Sequence, residues 1–219
     1  MTTELTSAQN RKEREFQRRE QEILTAATSL FKKDTWEDVT VSQIAEQAEI
    51  GKGTVYKHFS CKEDIYARLA LNFHYQLMAV FKSIERNQDT LAFMRDAISE
   101  SFRFYRKNTV CAKLSSYCKR VDFKQRISPT LRAEYESLDL EFESFFGSLL
   151  QTGIDDGTIK SQPITHLMVG LEATFEGALS MMMNDSYTDF SELKEDEFVE
   201  VITSFMMNAL SAEAEKTTI

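Results

Sequence analysis

The segment Thr40–Phe59, T-V-S-Q-I-A-E-Q-A-E-I-G-K-G-T-V-Y-K-H-F, limits the fold more than any other part of the chain, because it encodes two short helices back to back with a polar surface between them. Thr40 opens the first helix. Its hydroxyl can accept a backbone N–H while Gln43 reaches back, a T-x-x-Q capping box. Val41, Ile44, Ala45 and Ala48 then recur at helical spacing and give one small apolar face. The chain breaks at Glu49-Ile50-Gly51 and restarts as Lys52-Gly53-Thr54-Val55-Tyr56-Lys57-His58. This second helix has only Val55 and Phe59 to bury, which leaves Lys52, Thr54, Tyr56, Lys57 and His58 facing outward. Donors and cations on an exposed helix suit phosphates and base edges in a major groove. Ser60-Cys61-Lys62-Glu63 reads as another capping box, S-x-x-E, and starts the next helix at once.

These residues resemble the N-terminal pattern of the TetR family of transcriptional regulators. The pattern appears here as Ile23-Leu24, Ala26-Ala27, Leu30-Phe31, then T-V-x-x-I-A (Thr40 to Ala45), K-G-T-V-Y-x-H-F (Lys52 to Phe59) and Lys62-Glu63. The match covers roughly the first third of the chain; beyond it, the similarity is an all-helical region of suitable length with a G-I-x-x-G-x-I turn from Gly153 to Ile159. Three positions depart from the pattern. Glu49 stands where the family usually has glycine in the turn, Gly51 replaces the serine common before Lys52, and Thr35 replaces a glycine after the first helix. The resemblance implies an all-α chain: an N-terminal arm and three-helix helix-turn-helix DNA-binding domain over residues 1–62, then a helical bundle for effector binding and dimerisation over 63–219. The expected DNA-facing residues are Arg14, Arg18, Thr40, Ser42, Gln43, Lys52, Gly53, Thr54, Tyr56, Lys57, His58 and Lys62. Among them Tyr56 and Lys57 suit phosphates, Thr54 and Lys52 base edges, and Ser42 and Lys62 support.

Charge agrees once it is divided. The net charge of −9 looks wrong for a DNA binder, yet residues 1–62 hold ten Lys/Arg and ten Asp/Glu, and residues 63–219 hold sixteen and twenty-five. A neutral head still binds DNA when its cations face one way, since counterion release counts phosphate contacts rather than overall charge. Arg11, Lys12, Arg14, Arg18 and Arg19 precede the first apolar helix positions and read as a basic arm. Such an arm is either a solvated tail or a strand tracking the minor groove or backbone.

Helix follows helix after Lys62. Ile65 to Ile84 forms a long amphipathic connector, Thr90 to about Tyr105 a helix apolar on more than one side, and a shorter helix holds Leu114, Tyr117, Cys118 and Val121. Ser128-Pro129 opens a long helix lined by Leu131, Tyr135, Leu138, Phe142, Phe145 and Leu149. Pro163 opens a helix with a small-residue face, Gly170, Ala173, Thr174, Gly177 and Ala178, and two glycines inside a helix want a packing reason. The final helix repeats Phe198, Val201, Ile202, Phe205, Met206, Ala209 and Leu210. These two helices read as an oligomer contact, and the resemblance implies that they pair with their two-fold mates as a four-helix interface. Gly170, Ala173, Thr174, Gly177, Met181, Val201, Phe205 and Leu210 are its expected members. A homodimer would set two recognition helices about 34 Å apart on a palindromic operator.

The sensor has two readings. Between Phe102 and Arg132 lie nine cations and one acid, Asp122, mixed with aromatics. This is either a solvated face or a site for an anionic effector with an apolar tail, such as a fatty acyl thioester of coenzyme A. Glu172 and Glu176, beside Phe175, would instead suit a cationic lipophile. The candidate effector residues are Phe102, Arg103, Tyr105, Arg106, Tyr117, Tyr135, Phe142, Glu172, Phe175 and Glu176. On this reading the chain is a ligand-responsive repressor released by an amphipathic small molecule; the alternative is a regulator with no small-molecule effector, controlled by a protein partner or constitutive.

Other classes find no support in the residues. His58, His74 and His166 have no metal-ligand spacing, and there is no nucleophile elbow, phosphate loop or dinucleotide fingerprint, so neither catalysis nor a cofactor is expected. No apolar run approaches the roughly 18 residues of a membrane span, and the polar N-terminus has no signal core. Cys61, Cys111 and Cys118 form no C-x-x-C, which fits a reducing cytoplasm; Cys111 and Cys118 lie on one helical face, as core residues or a redox pair.

Overall fold

Capping and periodicity place the helices where the chain's few breakers allow them. The computed structural model describes residues 7–32, 36–86, 89–189 and 192–212, with the side chains of residues 7 and 8 excepted; Thr35 lies outside these ranges. The described residues form ten α-helices: α1 (Ser7–Phe31), α2 (Val41–Gln47), α3 (Lys52–His58), α4 (Lys62–Ser83), α5 (Thr90–Lys107), α6 (Thr109–Cys118), α7 (Val121–Lys124), α8 (Pro129–Asp155), α9 (Ile164–Met183) and α10 (Glu195–Leu210). Among them no strand forms beyond a single bridge between Ile159 and Ser211. The fold is all-α, with an N-terminal helix-turn-helix region followed by a helical region. Among the described residues no helix is long and apolar enough to cross a membrane.

Packing divides the chain into two units. One comprises Met1–Phe73 and Val110–Ala133, the other His74–Thr109 and Glu134–Ile219. The first unit takes in the start of α4 together with α6 and α7, segments that sequence alone assigns to the second region. Its core is built from Ile23, Leu24, Ala27 and Phe31 of α1, Ile44 and Ala45 of α2, Val55 and Phe59 around α3, and Ile65, Tyr66 and Leu69 of α4, all buried. Tyr117 of α6 completes an edge-on aromatic cluster with Trp36 (centroids 5.2 Å apart) and Tyr66 (6.1 Å). Aromatic edges meeting faces in this way add stability beyond the area they bury. Val121 does not continue α6. The helix ends at Cys118, Val121 starts the separate α7 and is 78% exposed, and Phe123 is the α7 residue that fills the core.

The S-x-x-E box at the start of α4 forms differently from the sequence expectation. Asp64, not Glu63, reaches back to accept the Ser60 N–H (3.2 Å), and its other oxygen accepts the Ser128 N–H just before α8 (2.8 Å). Glu63 instead faces the Arg126 guanidinium at 3.5 Å. Asp64 is buried, so its carboxylate stays there only because backbone donors from two segments satisfy it.

In the second unit, Phe81 of α4 meets Phe142, Phe145 and Phe146 of α8. α10 lies against α5, tied at its flank by ion pairs Arg95–Glu200 (3.0 Å) and Arg106–Glu195 (2.9 Å). The last turn of α8 and the turn after it each call for glycine. A Cβ at Gly153 would sit 2.6 Å from the Ile159 side chain, and Gly157 has φ +76°.

Replacing Asp64 by Asn keeps its volume but turns one acceptor into a donor facing a backbone N–H. We expect the unfolding free energy in urea to fall by about 1.5–3 kcal/mol, the range for hydrogen bonds to a charged group. An unchanged midpoint would remove Asp64 from the role given to it here.

Candidate nucleic-acid interface

The predicted capping box opens α2 as expected: Gln43 N–H donates to the Thr40 hydroxyl (3.2 Å), and the Gln43 side-chain carbonyl accepts the Thr40 N–H (2.8 Å). Thr40 and Gln43 therefore hold the helix start, while Ser42 stands exposed beside them. The α2–α3 turn closes through the Ile50 N–H, which donates to the Ala45 carbonyl at 2.9 Å. Glu49 pays for this path with φ +53°, a left-handed conformation that costs a non-glycine residue about 1–2 kcal/mol. Gly51 caps α3 without a side-chain bond, as its lack of a side chain dictates.

Over α3 only Val55 is buried, and Phe59 follows it into the core. Lys52, Gly53, Tyr56 and Lys57 are exposed, and Thr54 is half-buried on the same helix. The Lys52 ammonium lies 5.9 Å from the Tyr56 ring centroid. The seven-residue helix thus offers a hydroxyl, a phenol and two ammonium groups on its solvent side, a mixture able to bond phosphate oxygens and base edges together.

His58 belongs to the packing rather than to the exposed set. Its ring stacks on Phe16 of α1 with centroids 4.0 Å apart, and its Nδ1 is buried with no hydrogen-bond partner among the described residues. Desolvation lowers its pKa, partly opposed by Glu20 and reinforced by Arg19 and Lys57. Lys62 is likewise engaged: its ammonium donates to the Glu37 carbonyl and lies 5.4 Å from the Tyr66 ring centroid.

The basic arm is helical. Arg11, Lys12, Arg14, Arg18 and Arg19 all lie within α1, which begins at Ser7. Arg18 bonds Glu15 and Glu22, Arg19 bonds Glu22 (2.7 Å), and Arg14 donates to the Asn10 carbonyl (3.2 Å). Carboxylates three and four residues away stabilise this turn of helix and take up part of the charge that sequence assigns to DNA. The Phe16–His58 stack joins the N-terminal half of α1 to the end of α3.

The residues expected at a two-fold contact fall into two sets. Gly170, Ala173 and Gly177 are exposed, as are Val201 and Phe205, the last two by 52% and 61%. Val169, missed from sequence, is 69% exposed beside them. A Cβ added at Gly170 or Gly177 would meet nothing within 4 Å, so the chain's own packing does not require glycine there. Thr174 and Met181 are half-buried. Leu210 departs from the expectation: it is buried within the chain, and its carbonyl accepts the Lys160 N–H.

The structure separates the residues that sequence grouped as an effector site. Phe102, Tyr105 and Phe175 come together, with Phe175 centroids 4.7 and 5.7 Å from the other two. Tyr135 is buried and Phe142 packs on Phe81 in the same unit. Tyr117 is in the first unit, against Trp36. Arg103 pairs with Glu100, and Arg106 with Glu195. Glu172 is exposed and Glu176 half-buried. Burial raises the Cys111 thiol above its ordinary pKa and Cys118 is buried outright, which disfavours the reactive thiolate a redox pair needs.

Residues 23–69 match the family model described as bacterial regulatory proteins, tetR family. The chain is similar to the transcriptional repressor KstR2 of Rhodococcus jostii (strain RHA1), 26% identical over 145 residues that cover 65% of this chain and 69% of that protein. It is equally similar to YfiR of Bacillus subtilis (strain 168), an uncharacterised helix-turn-helix regulator, with 26% identity over 157 residues, 68% of this chain and 71% of the relative. A crystal structure from Syntrophomonas wolfei, of a TetR-family regulator, shares the fold with TM-score 0.67 at 19% identity, covering 88% of this chain and 94% of that one.

The depressed His58 pKa has a thermodynamic sign. Unfolded, the imidazole titrates near its ordinary value of 6.5; folded, it titrates lower. Between the two values the unfolded chain binds more protons, so stability conferred above 6.5 is lost as the pH falls through that window. A His58→Phe variant, which keeps a ring on Phe16, should lose less stability than the parent between about pH 7.5 and about pH 5.5. Equal losses in urea denaturation would place the pH sensitivity elsewhere.

Proposed function

Because the chain belongs to the TetR family of bacterial regulatory proteins, DNA-binding transcription factors rather than enzymes that act as dimers on operators, we propose that it is a cytoplasmic repressor reading a palindromic operator as a homodimer. The observation that carries this is the outward set on α3, where Lys52, Thr54, Tyr56 and Lys57 surround a single buried Val55. Tyr56 and Lys57 position the helix on phosphates, Thr54 and Lys52 read base edges, and Ser42 stands beside them on α2. Arg14 and Arg18 add phosphate contacts from α1, and Lys62 does so after exchanging its Glu37 contact for DNA. Thr40, Gln43, Gly53 and His58 shape the surface. The similarity to KstR2, a repressor, supports repression as the sense of control.

Dimerisation through α9 and α10 accounts for two features the single chain leaves without a reason: helix-interior glycines at 170 and 177 facing open space, and Val169, Val201 and Phe205 facing outward. Each such glycine costs a helix about 1 kcal/mol against alanine, and close approach of a second helix is the compensation.

For control, the reading is an amphipathic small molecule entering the second unit beside Phe102, Tyr105 and Phe175. A hundredfold loss of operator affinity would require about 2.7 kcal/mol of differential binding to the form that releases DNA. The close packing of Phe102 on Phe175 favours the effector-free alternative, because a ligand has to part these rings.

One titration series tests both parts. By mobility shift, Lys57→Ala should weaken all sequences alike and reduce the salt slope by about one unit, whereas Thr54→Ala should relax sequence preference. If both variants leave operator affinity intact, α3 is not the reading head. Long-chain acyl-CoA added to the parent complex should dissociate it on the effector reading; a complex indifferent to it and to a cationic lipophile leaves the effector-free alternative.

A further inference from the structure

Positive charge is distributed unevenly within the first unit. Met1–Phe73, which holds α3, carries eleven Lys/Arg and twelve Asp/Glu. Val110–Ala133 carries six Lys/Arg and the single acid Asp122. The unit that has to sit on a polyanion therefore takes its whole positive balance from α6, α7 and the start of α8, none of which belongs to the helix-turn-helix.

That basic segment lies beside the residues that follow the recognition helix. The Cys61 thiol donates to the Arg126 carbonyl (3.6 Å), the Arg126 guanidinium is 3.5 Å from the Glu63 carboxylate, and Ser128 N–H reaches Asp64 at 2.8 Å. α3 ends at His58, and the three residues of chain from there to Cys61 span at most about 11 Å. The cations are also held in place. Arg120 and Arg126 lie over the Tyr117 ring at 5.4 and 5.9 Å, and Phe123, wholly buried, anchors α7 between them. Asp122 is shared by both arginines, at 3.0 and 3.2 Å, so the turn from Lys119 to Arg126 retains a net positive charge.

We propose that the turn from Lys119 to Arg126 is a second DNA contact, which binds backbone phosphates of the duplex flanking the bases read by α3. This rests on the α3 reading above. Phosphates of the flanking duplex carry no base identity, so the contact extends the footprint and the salt dependence and leaves sequence preference alone. Guanidinium groups already braced on an aromatic ring lose little further freedom when they meet phosphate. Val121, 78% exposed within this turn, marks its outward side.

The test measures operator affinity against salt concentration for a duplex trimmed to the operator and for one carrying an extra helical turn on each side. The parent should show a steeper slope on the long duplex. Lys119→Gln, Arg120→Gln and Lys124→Gln combined should reduce the long-duplex slope by about 0.9 for each contact removed and narrow the difference between duplexes, leaving what Arg126 contributes. Val121→Lys and Val121→Glu provide a check that does not touch packing: the first should steepen the long-duplex slope, the second flatten it. If the long-duplex slope is the same in parent, triple variant and both Val121 variants, the turn makes no DNA contact. Lys57→Ala in the same series separates the two ideas. Loss of affinity in Lys57→Ala with no effect in the others overturns the second contact alone, whereas an inert Lys57→Ala overturns the α3 reading whatever the turn does.

Discussion

The Asp64 carboxylate ties the parts of the first unit to one another. One oxygen accepts the backbone N–H of Ser60, two residues past the end of α3, and the other that of Ser128, at the start of α8. The angle at which α3 leaves its turn is thereby fixed to α4, and the basic segment around Arg126 is fixed to the same point. A helix of seven residues such as α3 has little stability of its own, since helices this short are marginal in water. Its orientation has to come from outside, and it comes from three places: Val55 and Phe59 in the core, His58 stacked on Phe16, and the Asp64 bonds at its exit.

Charge and apolar surface are divided between the units in a way that serves this arrangement. Counted by unit, the first carries seventeen Lys/Arg and thirteen Asp/Glu, the second nine and twenty-two. Two copies of so acidic a unit repel each other, although salt screens that repulsion beyond about 8 Å. Contact between copies then has to rest on uncharged surface. The exposed residues Val169, Gly170, Ala173, Gly177, Val201 and Phe205 offer such a surface, with exposed Glu172 and Glu197 beside them on the same helices.

Local chemistry was legible in the residues, and long-range chemistry was not. The T-x-x-Q box, the break before α3, the single buried valine of α3 and the periods of α4, α5, α8, α9 and α10 depend on neighbours within a few positions, and each forms as read. The S-x-x-E box misled because partners far along the chain sort the two acids: Ser128 N–H bonds the second oxygen of Asp64, while Arg126 faces Glu63. The mixture of aromatics and cations from Phe102 to Arg132 looked like one site, but Tyr117 packs with Trp36 while Phe102 packs with Phe175, a partition that only tertiary structure decides. The basic N-terminus could have been read as helix: Glu15, Arg18 and Glu22 carry the three- and four-residue spacing of helical ion pairs. Leu210 has the right period for the contact stripe and faces inward, since a stripe read from one helix does not say which of its edges a neighbour covers.

If two copies of α3 read DNA together across a two-fold axis, the sequences they select carry that symmetry. Selection of bound duplexes from a random-sequence pool, followed by sequencing, tests it most directly. The expected product is an inverted repeat whose half-site centres lie one helical turn, about 10–10.5 base pairs, or a multiple of it apart. Recovery of a single asymmetric site, or of no enriched sequence at all, would contradict it.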